Sequence, residues 1–75
     1  MSEIPSLSYH QIINALQRLG FVVIRQKGSH IRLHKKDDDK IIKITVPAHR
    51  PVRINTLRQI IKQAELSLDE FKSKL

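Results

Sequence analysis

The sequence predicts an α+β domain in the order α-β-β-β-α, a three-stranded antiparallel sheet with helices packed on one of its faces. Three observations predict it. Two segments carry apolar residues at helical spacing: Tyr9, Ile12, Ile13, Leu16 and Leu19 in one, Leu57, Ile60, Ile61 and Ala64 in the other. Between them lie three β-rich segments joined by short polar connections. The middle one alternates strictly, setting Ile31 and Leu33 on one face and His30, Arg32 and His34 on the other.

Taken in order, residues 1–7 are expected to be loosely ordered. Ser8 followed by Gln11 is a capping box, which predicts a helix over 8–19 that Gly20 stops. Phe21 to Gln26 is apolar at nearly every position and reads as a buried strand. Gly28-Ser29 turns the chain into the alternating strand, which runs to about Lys35. Lys36-Asp37-Asp38-Asp39-Lys40 is a polar hairpin connection. Ile41 to Val46 follows, with Ile42, Ile44 and Val46 joining Ile31 and Leu33 inside, and Lys43 and Thr45 outside.

Pro47 ends that strand and opens a basic loop holding His49, Arg50 and Arg53. Asn55 or Thr56 is expected to cap the second long helix, Thr56 pairing with Gln59 in a box; Ser67 and Glu70 repeat the box before a short last helix carrying Leu68, Phe71 and Leu75. Nothing marks a repeat or a boundary, so residues 1–75 read as one domain. Packing both apolar stripes on the apolar sheet face leaves the opposite face open. That layout is similar to the double-stranded-RNA-binding fold, an analogy that does not by itself give function.

Charge narrows the function. The chain of 75 residues has 14 Lys/Arg against 7 Asp/Glu, a net +7. Between Arg18 and Lys62 the only acids are Asp37, Asp38 and Asp39, side by side in one turn. The cationic middle attracts polyanions and points to nucleic acid. No helix pairs a basic face with bulky aromatics, which argues against a membrane-surface role. With no cysteine, disulfides, thiolate catalysis and thiolate metal sites are excluded. Apolar runs are too short to cross a bilayer, and the first residues lack the regions of a signal peptide, so a soluble cytoplasmic protein is expected.

His30 is the leading candidate for chemistry. Imidazole exchanges a proton near neutrality, and here it stands beside Arg32 two residues after a glycine that leaves room for a ligand. Such a base can deprotonate a ribose 2′-hydroxyl, which then attacks the adjacent phosphate while Arg or Lys offsets the added charge; this needs no metal or other cofactor. The bland alternative is a solvated strand histidine, since Gly-Ser-His is a common tripeptide. His34, about 13 Å along the strand from His30, is too far to share a metal with it, and is a phosphate contact or simply exposed. His49 is a second polar group in a loop, and His10 reads as surface. The aspartate triplet lacks the spaced ligands of a calcium loop and reads as a solvated turn.

The ordered set Leu19-Gly20-Phe21, Gln26-Lys27-Gly28-Ser29-His30, Thr45-Val46-Pro47-Ala48-His49 and Asn55 to Ala64 resembles HicA-type toxins, also called the YcfA-like family, over about residues 8–72. The resemblance implies a small bacterial or archaeal ribonuclease that cleaves mRNA without a metal, on a double-stranded-RNA-binding-like fold, with His30 as catalytic residue. It also implies a HicB-type antitoxin that masks the active surface, in a hetero-oligomer. Lys27, Gly28, Ser29, Arg32, His34, Lys43, His49 and Arg50 are the expected RNA contacts. Two departures are visible: Asn55 stands where the family has glycine, and Arg50-Pro51-Val52-Arg53 replaces a Gly/Lys-rich loop. Two alternatives use the same residues: a non-catalytic RNA-binding module, and an adaptor whose basic face docks an acidic protein.

Overall fold

The computed structural model describes residues 7–49 and 51–75. Its elements run α1 (Tyr9–Arg18), β1 (Val22–Lys27), β2 (His30–Asp37), β3 (Lys40–Pro47), α2 (Ile54–Gln63) and α3 (Leu68–Lys72). The strands form one antiparallel sheet in the order β1-β2-β3, the α+β layout of a double-stranded-RNA-binding-like domain. Ile31, Leu33, Ile42, Ile44 and Val46 of the sheet are buried in one core with Ile12, Ala15 and Leu16 of α1, Leu57, Ile60 and Ile61 of α2, and Phe71 of α3.

The caps follow the sequence closely at three helix ends. The backbone N–H of Gln11 donates to Ser8 Oγ at 3.4 Å, and that of Ser8 donates to Gln11 Oε1 at 3.0 Å. Ser67 and Glu70 make the same reciprocal pair, both at 3.0 Å. Those Ser67 bonds hold the Glu70 carboxyl below its usual range, so this cap is intact at neutral pH and weakens as pH falls through the depressed value. α1 closes with a Schellman pair: Gly20, at φ +104°, donates to the Gln17 carbonyl, and Phe21 donates to that of Leu16.

Four details depart from the sequence expectations. β1 is an edge strand exposed along its whole length, with Val22 59 % and Ile24 51 % accessible, not a buried one. Its apolar run reflects β preference at an edge rather than burial on both faces. α2 begins at Ile54 with Arg53 as N-cap and no side-chain cap, so Asn55 and Thr56 lie inside its first turn. Extended backbone at Arg53, following Pro51-Val52, sets the start earlier than the polar pair suggested. Leu7, placed in the loose leader, is buried; its carbonyl accepts from the Val52 N–H at 2.8 Å in an isolated antiparallel bridge. Leu75 lies past the end of α3 and is exposed.

α2 ends in a second Schellman pair, Glu65 N–H to the Lys62 carbonyl and Leu66 N–H to that of Ile61, but here a glutamate occupies the left-handed position at φ +58°. A side chain there costs about 1–2 kcal/mol that glycine avoids, less the entropy glycine adds. The Glu65 carboxylate accepts from Lys40 Nζ at 2.7 Å, an exposed ion pair that saline screens. Glu65→Gly is expected to raise the free energy of unfolding by about 0.5 kcal/mol at moderate salt, read as a higher midpoint in urea with an unchanged slope.

Candidate functional site

The site is built by a turn. β1 and β2 are joined by two residues, Gly28 and Ser29, so Lys27 stands directly opposite His30. Gly28 takes φ +58° at the first turn position, the left-handed geometry that suits two-residue hairpins. Nothing lies within 4 Å of where a Cβ would project from Gly28, so backbone conformation rather than crowding asks for glycine.

From that pairing the outward rows follow by register. Lys27 opposes His30, which opposes Pro47 of β3; Arg25 opposes Arg32, which opposes Thr45. Arg25, Lys27, Gly28, His30, Arg32 and Thr45 line one depression on the face turned away from the core. A bulge between Val23 and Arg25 then shifts the register, bringing Val23 opposite Leu33 and Val22 opposite His34.

The depression is cationic and uncompensated. Like charges directly opposite one another repel, and Arg25 and Arg32 are such a pair. Among the described residues the one ion pair is Lys40–Glu65, beside the β2–β3 turn. Asp37 ends β2 seven residues after His30, about 23 Å along the strand at 3.3 Å per residue. That exceeds the roughly 8–10 Å over which charges act in saline, so the aspartates do not cancel the field at His30.

The structure thus brings together His30, Lys27, Gly28 and Arg32 of the expected residues. Ser29 is exposed at the turn, and its carbonyl accepts the Ala48 N–H at 2.7 Å, tying the turn to the loop after β3. His34 and Lys43 pair with each other one outward row beyond Arg32, away from the depression. His34 is half-buried, and its Nε2 is shielded with no hydrogen-bond partner among the described residues. His49 is exposed and lines a second depression with Pro47, Pro51, Arg53 and Thr56. Arg50 lies outside the described residues. His10 is exposed in the first turn of α1.

Arg25 belongs to the site although its strand drew attention only for its apolar residues. Its signal was present: a two-residue turn at Gly28-Ser29 sets Arg25 opposite Arg32 by counting back from Lys27. Thr45, expected outside, is the neutral neighbour of that pair.

An exposed imidazole can take or give a proton, and guanidinium forks match the oxygens of a phosphate. Together they suit a phosphodiester whose nucleophile or leaving group needs proton transfer. Among the described residues no three His, Asp or Glu side chains gather in a way that would hold a metal ion.

A family model described as "HicA toxin of bacterial toxin-antitoxin" matches residues 9–66. No curated protein matches the chain.

The repulsion between the opposed arginines is measurable in the free protein. Arg25→Thr is expected to stabilise the fold at low ionic strength by about 0.5 kcal/mol, a gain that shrinks in 0.5 M salt. Thermal melts at both salt concentrations check it.

Proposed function

The chain belongs to the HicA toxin family of bacterial toxin–antitoxin systems, and from its site we propose that this toxin is a metal-independent endoribonuclease that cleaves mRNA with His30 as general base. The observation that carries the proposal is the exposed His30 imidazole in one depression with Arg25, Lys27 and Arg32, on a face that no element among the described residues covers.

The reaction follows from those side chains. An RNA strand lies across the depression with a phosphate between Arg25 and Arg32. His30 takes the proton of the neighbouring ribose 2′-hydroxyl. The 2′-oxygen attacks phosphorus, the O2′–P bond forms, the P–O5′ bond breaks, and the leaving 5′-oxygen takes a proton from water, to which the protonated His30 returns the one it took. Negative charge on the phosphate oxygens peaks between those events, where the two guanidinium groups hold it. Arg32 lies two residues from His30 on the same strand, roughly 6.6 Å, and Lys27 stands directly across from His30.

Aromatic stacking contributes little. The chain has one Tyr and two Phe. Phe21 and Phe71 are buried, and Tyr9 packs partly against the core from α1. With no aromatic ring on the open face, the strand is held through its phosphates rather than by splayed bases. A toxin of such a system has an antitoxin; in this reading it is of HicB type and covers the cationic face, the part of the surface an acidic partner fits.

His30→Ala is expected to lower mRNA cleavage by about 10²–10⁴-fold, while wild type cuts equally well in EDTA. In cells the wild type arrests growth and the variant is tolerated. Equal cleavage by both proteins would reject the assignment of His30. Loss of cleavage in EDTA would reject the metal-free reaction. Intact RNA, bound in a salt-dependent way by folded wild type, would make the face a binding surface only.

A further inference from the structure

The second depression, lined by Pro47, His49, Pro51, Arg53 and Thr56, has no part in the reaction just described. It meets the first at one cross-strand pair. His30 lines the first depression and Pro47, directly opposite His30 on β3, lines the second. Residues so opposed have Cβ atoms about 5 Å apart. The Ala48 N–H to Ser29 carbonyl bond, at 2.7 Å, fixes the chain between them, so the two hollows keep one spacing.

The lining is chemically suited to a second anion. Arg53 and His49 are exposed, no partner within the described residues engages the Arg53 side chain, and Thr56 adds a hydroxyl. Pro47 and Pro51 stiffen the loop that carries His49. Arg53 is the N-cap residue of α2 by backbone alone, so its guanidinium is not spent on the helix.

We propose that this second depression is a subsite for the phosphate next to the scissile one, with Arg53 as its main contact and His49 and Thr56 beside it. The inference rests on the ribonuclease reading and adds to it a substrate length: the toxin works best on RNA that carries at least one phosphate flanking the bond it cuts. A single strand running from Arg25 and Arg32 past His30 to Arg53 places successive phosphates in successive hollows.

The test uses short RNA: a dinucleoside monophosphate, the same molecule with a 5′-terminal phosphate, and the same with a 3′-terminal phosphate. The readout within each protein is the ratio of kcat/KM for each phosphorylated substrate to that for the plain one. Wild type is expected to prefer one of the two by about tenfold, the worth of one charge-assisted contact. Arg53→Gln brings that ratio close to one, and Arg53→Lys keeps part of it. Circular dichroism confirms that both variants are folded. A plain dinucleotide cut as fast as both phosphorylated ones, or a preference that survives Arg53→Gln, would overturn the subsite and leave the nuclease reading standing. Folded wild type that cuts mRNA but none of the three would overturn the subsite as stated, and folded wild type that leaves mRNA intact as well would overturn both.

Discussion

A one-residue slip of β2 would carry His30 and Arg32 into the core and push Ile31 and Leu33 into water. What forbids the slip is a pair of constraints that agree. The burial of Ile31 and Leu33 against Val46 and Ile44 fixes which face is dry. The two-residue turn at Gly28-Ser29, with Gly28 in the left-handed region, fixes which residue of β1 meets which of β2. The core and the candidate site are therefore two sides of one strand, and neither can be moved without the other.

The same strand separates charge along its length. Its first residue stands among cations and its last enters the aspartate turn, where Lys40 reaches Glu65. Acids placed near His30 would neutralise the arginines and weaken any hold on phosphate. Placed at the far end of β2, they leave the cationic end unopposed. The opposition of Arg25 and Arg32 is a local cost that a small fold tolerates where it serves a ligand, and an anion between the two would remove it.

Much of this was legible in the residues. The capping boxes at Ser8 and Ser67, the glycine stop at Gly20, the alternation from His30 to His34 and the inner trio Ile42, Ile44 and Val46 all stand where local chemistry puts them. The rest depended on long-range pairing. Which part of a sheet the helices cover is settled by tertiary packing, so Val22, Val23 and Ile24 read as buried although β1 is exposed, while β3, equally an edge strand, buries Ile42, Ile44 and Val46. The bridge from Leu7 to Val52 joins residues 45 apart, and neither segment announces it. α2 starts at a residue whose side chain makes no cap, which leaves no local mark. In the site, His30, Lys27 and Arg32 follow from alternation and one turn. Arg53 and Thr56 join His49 only because β3, its following loop and α2 fold back together.

In the proposed reaction an imidazole on an open sheet face takes a proton from a ribose hydroxyl, and the ends left on the cleaved RNA report whether that hydroxyl was the nucleophile. Mass spectrometry of fragments from a defined RNA is expected to show 2′,3′-cyclic phosphate on one new end and a free 5′-hydroxyl on the other. Fragments ending in 3′-hydroxyl and 5′-phosphate would mean that water, not the 2′-oxygen, attacks phosphorus, and would contradict the role given to His30.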